Sequence, residues 1–149
     1  MNDADFAAKD KAIRAAVNAQ GMMQHMGARI DELSAGGAIF SLPRRPEILQ
    51  QNGFFHGGVI AFLIDVTATT AAATLIDREN QSCLTAEYKL NFVAPAKGET
   101  ILCEANVVKP GRKLSVVEAK VFSEEAGDRR LVSIALATIA VTERIPVIA

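Results

Sequence analysis

A curved, mostly antiparallel β-sheet wrapped around one long hydrophobic helix, an α+β architecture, is the fold this sequence predicts. Three observations carry it: an apolar run over 57–76 with almost no polar side, alternating β segments after that run, and turn residues at every joint between them. A surface helix shows one apolar stripe, whereas Val59, Ile60, Phe62, Leu63, Ile64 and Val66 surround the helix axis, the pattern of a helix buried all round.

The elements follow in order. Residues 1–27 read as an N-terminal helical segment, a moderately amphipathic helix from Asp3 to about Gln24 with Phe6, Ile13 and Val17 on its apolar side, stopped near Gly21 or Gly27. The core occupies 28–143. It opens with a hairpin over 29–42 whose turn is Ser34-Ala35-Gly36-Gly37. Pro43 and Pro46 open an irregular loop running to Phe55, and Arg44 and Arg45 between them read as a solvated pair. After the central helix come strands over 82–92, 99–109, 114–123 and 130–142. Pro95 to Gly98, Pro110-Gly111 and Gly127-Asp128 supply the turns between them. In the last strand Val132, Ile134 and Leu136 read as one covered face, and Leu131, Ala135, Ile139 and Val141 as the other. Thr67, Ala68, Thr69, Thr70, Ala71, Ala72 and Ala73 keep the second half of the helix slim, so a sheet can approach closely.

Composition bounds the function. A chain of 149 residues suits a single domain, 1–149. Half its residues are hydrophobic and 22% are charged, an apolar excess that burial in a homo-oligomer interface would absorb. A net charge of −1 argues against nucleic acid as a partner, since phosphate binding draws on a basic excess. The apolar run over 59–76 carries Asp65 at its middle and lacks flanking anchors, so no membrane span is expected. The start Met1-Asn2-Asp3-Ala4-Asp5 is acidic where a signal peptide is basic, and a cytoplasmic location is expected. Cys83 and Cys103 lack CxxC spacing and read as buried thiols. With histidines only at 25 and 56, far apart, no metal site is expected, and no cofactor is expected either.

Asp65 is the one ionisable side chain inside the hydrophobic helix. Burying an unpaired carboxylate costs several kcal/mol, so it must be neutralised, partnered or open to a solvated cleft. A hydrogen bond at a subunit contact would meet that need; so would a place on a pocket, where desolvation suits a carboxylate to act as base or nucleophile. The segment before the helix, Gln50 to Gly58, favours the second. It ends in His56-Gly57-Gly58, where backbone N–H groups at a helix start have no intrahelical partner and the helix dipole adds positive potential. Such a place suits an oxyanion, and glycines let a carbonyl approach.

His56-Gly57-Gly58 followed by Asp65 resembles the signature of the PaaI-type acyl-CoA thioesterases, a hotdog-fold family. The resemblance continues through Leu84-Thr85-Ala86-Glu87-Tyr88-Lys89-Leu90-Asn91-Phe92-Val93-Ala94-Pro95-Ala96 and Val108-Lys109-Pro110-Gly111-Arg112, covering roughly two-thirds of the chain. It implies hydrolysis of acyl-CoA to free acid and CoA, with CoA part of the substrate. It implies that Asp65 activates water or attacks the thioester carbonyl, that the Gly57 N–H holds the oxyanion, and that His56 positions the loop or the thioester. It also implies that Gly58 lies beside the bound substrate. Thr85 falls where the family places a hydroxyl that orients the water, and Lys109, Pro110, Gly111, Arg112 and Lys113 fall where it contacts CoA. Six residues before the histidine the family often carries Asn; here Gln50 stands there, and either its longer amide or Asn52 takes that role.

Helical geometry adds an argument independent of family. Gly57 and Asp65 lie eight residues apart, ~12 Å along one helix axis, whereas catalysis needs both within ~3 Å of the reacting atoms. Two antiparallel helices related by a twofold axis bring Gly57 of one subunit to Asp65 of the other, placing the site at a dimer interface. Whether dimers pair into tetramers, and which acyl group Phe54, Phe55, Phe62 and Phe92 would accept, stay open. Two other readings are a non-catalytic acyl-thioester-binding module and a hotdog dehydratase or hydratase. The first would not require both Asp65 and the His-Gly-Gly start; the second pairs Asp with a downstream His, and no histidine follows Asp65.

Overall fold

The computed structural model describes residues 3–146; Met1 and Asn2, which open the acidic N-terminus, and 147–149 lie outside the described residues. Six strands, β1 (Arg29–Ser34), β2 (Gly37–Pro43), β3 (Gln81–Phe92), β4 (Thr100–Lys109), β5 (Leu114–Glu125) and β6 (Asp128–Glu143), form one sheet. The order is β1-β2-β4-β5-β6-β3, with every neighbouring pair antiparallel. The central helix α3 (Gly57–Ala73) crosses its inner face. The expected architecture stands, with strand bounds displaced by at most two residues.

Small side chains on both partners bring helix and sheet together. Ala105, Ala119 and Ala135 pair in register across β4, β5 and β6, forming a shallow row on the inner face. On α3, Ala68, Ala71 and Ala72 are at most 1% exposed. Larger side chains, Phe40, Leu42, Ile101, Val117, Val121 and Ile139, fill the space around the row and are fully buried. The buried hydroxyls of Thr67 and Thr70 donate to the carbonyls of Leu63 and Val66 at 2.6 and 2.7 Å, so these threonines sit in an apolar core without an unpaired donor.

Two expectations need correction. The N-terminal segment is two helices rather than one, α1 (Asp3–Asn18) and α2 (Gly21–Met26). Gln20 is extended at φ −67° and ψ 128°, and Gly21, a weak helix former, starts the new helix. Gly27 ends it in the left-handed region at φ +71°, where its N–H reaches the Met23 carbonyl. Nor are α3 and β6 covered on all sides. Along α3, Gly58, Phe62, Asp65, Thr69 and Ala73 form a stripe at helical spacing that remains open. On β6, Leu136 is 53% exposed on the outer face, where Leu84 and Leu114 are also exposed. Among the described residues no helix is long and apolar enough to cross a membrane.

Helix α1 lies against this scaffold through Ile13 and Val17, both buried. Arg14 pairs with Asp10 one turn earlier at 2.9 Å and donates to the Ile30 carbonyl of β1. The Lys9 ammonium donates to the carbonyls of Thr74 and Ile76 just beyond α3, cations being favoured at a helix C-terminus. At the far side of the sheet, β3 bonds only to β6, leaving a twelve-residue edge strand with its other row of backbone groups free among the described residues.

Candidate active site

Asp65 points from the open stripe of α3 into a cavity of about 760 Å³ between α1, α3 and β3. The Thr85 hydroxyl donates to its Oδ1 at 2.6 Å, and the Thr69 hydroxyl lies 2.8 Å from that of Thr85. Thr85 has one hydroxyl proton, already given to the carboxylate, so Thr69 must be the donor in the second contact. The chain Thr69–Thr85–Asp65 fixes the carboxylate while its other oxygen stays unbonded among the described residues. Asp65 thus has both a hydrogen-bond partner and an open cleft within the protomer.

Thr69 was not foreseen, although it lies one turn beyond Asp65 and helical spacing alone would have found it. Tyr88 also lines the cavity and was not foreseen. A β-bulge between Thr85 and Glu87 turns the inward alternation by one residue, so that Thr85 and Tyr88 share a face despite odd spacing. Burial and the nearby Asp65 charge push the Tyr88 phenol above its ordinary value. Burial pushes the Cys83 thiol up to about 11 and that of Cys103 up to about 12. Cys83 reaches the cavity but stays protonated at neutral pH, which removes it as a nucleophile.

The other half of the expected site lies elsewhere in the protomer. Gln50 and Gly57 line a second cavity of about 420 Å³ with Phe54, Phe55 and Phe92. The Gly57 N–H, first of α3, makes no hydrogen bond among the described residues. His56 is the N-cap: its Nδ1 accepts from the Gly58 N–H at 3.0 Å, and this bond assigns the ring proton to Nε2. Its backbone N–H donates to Ile48 and its carbonyl accepts from Val59, so His56 holds the loop that presents Gly57. Gln50 accepts from the Asn52 N–H through Oε1 at 2.5 Å, while Asn52 itself is exposed and off the cavity. Of the two amides, Gln50 is the one beside Gly57. The four phenylalanines divide: Phe62 faces Asp65, the other three face Gly57.

Arg44 is not the solvated residue expected. Its guanidinium donates to Lys97 O at 2.8 Å, to Gly98 O at 3.3 Å and to the Gly53 carbonyl, tying the Gln50 loop to the segment before β4. Lys97 lies over the Phe54 ring of the same loop, 5.0 Å from its centroid. Arg45 likewise donates to the His25 carbonyl. Arg44→Ala should therefore lower stability by about 2 kcal/mol, the scale of losing charge-assisted bonds, and Tm by roughly 4–8 °C. A thermal melt unchanged within a degree would show the tie to be idle.

The turn Lys109 to Lys113 is exposed and lines neither cavity. A Cβ on Gly111 would meet the Leu114 carbonyl oxygen at 2.1 Å, so the turn requires glycine there. The cavity of Asp65 also reaches two cations that sequence analysis passed over, Arg78 and Arg144. Nothing local marked them: one sits in a loop, the other just past the last strand.

Comparison with known proteins identifies the family and the fold. Residues 52–129 match the family model described as Thioesterase superfamily. A protein of Saccharolobus solfataricus carrying an esterase name is 31% identical over 97 residues, 65% of this chain and 68% of that one. The 1,4-dihydroxy-2-naphthoyl-CoA hydrolase of Listeria monocytogenes is 26% identical over 124 residues, covering 83% of this chain and 98% of that one. A thioesterase family protein from Silicibacter pomeroyi superposes with TM-score 0.87 at 35% identity, covering 93% of this chain and 98% of that one. The PaaI protein of Escherichia coli shares the fold at TM-score 0.78 and 16% identity, covering 93% and 94% of the two chains. A helix-wrapping antiparallel sheet with these relatives is the hotdog fold, and the chain belongs to the thioesterase superfamily.

Proposed function

We propose that the protein hydrolyses acyl-CoA thioesters at sites shared between the two subunits of a homodimer. The observation that carries this reading is the pair Thr85–Asp65: a carboxylate on a hydrophobic helix, oriented by a hydroxyl and open to a cavity, in a thioesterase-superfamily chain. Asp65 takes the proton of a water, or attacks directly, and Thr85 keeps the reactive oxygen aimed at the carbonyl carbon. As the carbonyl oxygen gains charge it needs a donor, and the Gly57 N–H at the start of α3 is the unspent one, with Gln50 beside it. Collapse of the tetrahedral species expels the CoA thiolate, which takes up a proton. When water is the nucleophile the acid leaves at once; when Asp65 attacks directly, the acyl–aspartyl anhydride left behind is hydrolysed by a water before the acid leaves.

Division of the expected residues between two cavities supports the shared site. Asp65 and Thr85 line one and Gly57 and Gln50 the other, so a protomer holds two halves that do not face each other. The long unpaired edge of β3, with Leu84 and Phe92 exposed, is a surface on which a second copy could add, whereas the short β1 edge carries Asp31 and Glu32.

The test is turnover of a panel of acyl-CoA esters of different chain length and aromatic character, followed by release of free thiol. Hydrolysis supports the reading; binding without release would leave a non-catalytic acyl-thioester module, and hydration of an enoyl ester would make the protein a hydratase. Within this reading the exposed turn binds the nucleotide, its Arg112 and Lys113 pairing with phosphates. Replacing both by alanine should raise KM for CoA esters several-fold while sparing short thioesters that lack the nucleotide. Equal losses on both kinds of substrate would make the turn a structural element only.

A further inference from the structure

The cavity that opens at Asp65 continues along the stripe of α3 past Thr69 and Ala73 and reaches Arg78 and Arg144. Ser82 on β3 borders this end, three residues before Thr85 and therefore on the order of 10 Å from the carboxylate's partner. The two arginines are held together. The Arg144 guanidinium donates to the Arg78 carbonyl, and the Arg144 N–H donates to Asn80 O at 2.9 Å.

Neither guanidinium has a carboxylate within ion-pair distance among the described residues. The acid next to Arg78 in sequence, Asp77, spends its oxygens on Asn80 and on the Glu79 N–H. Burial and the neighbouring Arg144 charge hold the Arg78 guanidinium below its ordinary value. Two like charges on one partly dry cavity wall repel unless an anion sits between them, and their planar forks match the oxygens of a carboxylate or phosphate.

We propose that Arg78 and Arg144 form an oxyanion subsite that grips an anionic group carried by the thioester substrate itself, at the Ser82 end of the cavity that Asp65 and Thr85 also line. The proposal rests on the thioesterase reading. Two parts of a substrate can bring such an anion: a carboxylate at the far end of the acyl group, or the phosphates of the carrier.

The experiment compares wild type with Arg78→Gln on four thioesters. These are a neutral straight-chain acyl group and its equally long ω-carboxy analogue, each attached to CoA and to N-acetylcysteamine, which has no phosphate. Arg78→Gln removes the guanidinium but leaves the carbonyl to which Arg144 donates. A loss of roughly tenfold or more in kcat/KM, mainly through KM, is expected only on substrates bearing the gripped anion. If it falls on both ω-carboxy esters whatever the carrier, the anion belongs to the acyl group. If it falls on both CoA esters whatever the acyl group, the anion is a phosphate of the carrier. An equal change on all four esters, or no change on any, overturns the subsite. Arg78→Lys guards against a folding defect: it keeps the charge, and should recover part of the loss on the same substrates alone. Failure of the wild type on all four would instead refute the thioesterase reading.

Discussion

Asp65→Asn is expected to yield a folded protein whose turnover of acyl-CoA is at least ~100-fold lower, the scale of removing a general base. The structure explains why the fold should survive. Thr85 donates to Asp65 Oδ1, and the carbonyl oxygen of an asparagine can accept the same bond, so the Thr69–Thr85–65 chain need not rearrange. Neighbouring α3 residues Leu63, Ile64 and Val66 are buried against the sheet and do not depend on the charge. What disappears is the capacity to take a proton or to attack, because a neutral amide does neither under these conditions. The measurements are kcat by thiol release, with circular dichroism and a thermal melt to confirm folding. A folded variant with nearly full activity would remove Asp65 from the centre of the mechanism.

The legible parts of this protein were those with short-range signatures. The six strands and the central helix came from alternation, apolar runs and turn residues, and Asp65 stood out because its surroundings made it costly. Less legible were features set by pairing between distant segments. The bulge at Ala86 places Tyr88 beside Thr85, yet a bulge is defined by the partner strand β6 and not by the residues of β3 alone. Arg44 and Arg45, taken for solvated charges, bond to carbonyls of Lys97, Gly98, Gly53 and His25, contacts that only the folded loop creates. Covering both faces of β6 was an over-reading: Leu136 on the outer face is open, because hydrophobicity alone does not say whether a face meets its own chain or another. The same limit explains why α3 looked buried all round when its Asp65 stripe borders a cavity.

Two inactive variants should restore each other if the site is shared. Gly57→Pro removes the free N–H at the first position of α3, where proline's fixed φ suits a helix start. His56 lies at φ −64° and ψ 140°, outside the α region that a residue before proline avoids. A Cβ at position 57 would meet the Phe92 Cζ at 3.0 Å, but this ring is 56% exposed and its tip can swing outward. Gly57→Ala, which adds the same Cβ but keeps the N–H, isolates that steric effect. Mixed in equal amounts, unfolded and refolded, Gly57→Pro and Asp65→Asn chains pair at random, so about half of the dimers are mixed. In a mixed dimer one shared site carries both defects and the other carries neither, so about a quarter of wild-type activity should return. A site built within one subunit would leave every site defective, and the mixture would stay inactive. Size-exclusion chromatography must show both variants in the wild-type oligomer, since a proline that had broken α3 would also give silence. With that control in place, recovery near a quarter requires that Gly57 and Asp65 act from different chains, and its absence requires that they do not.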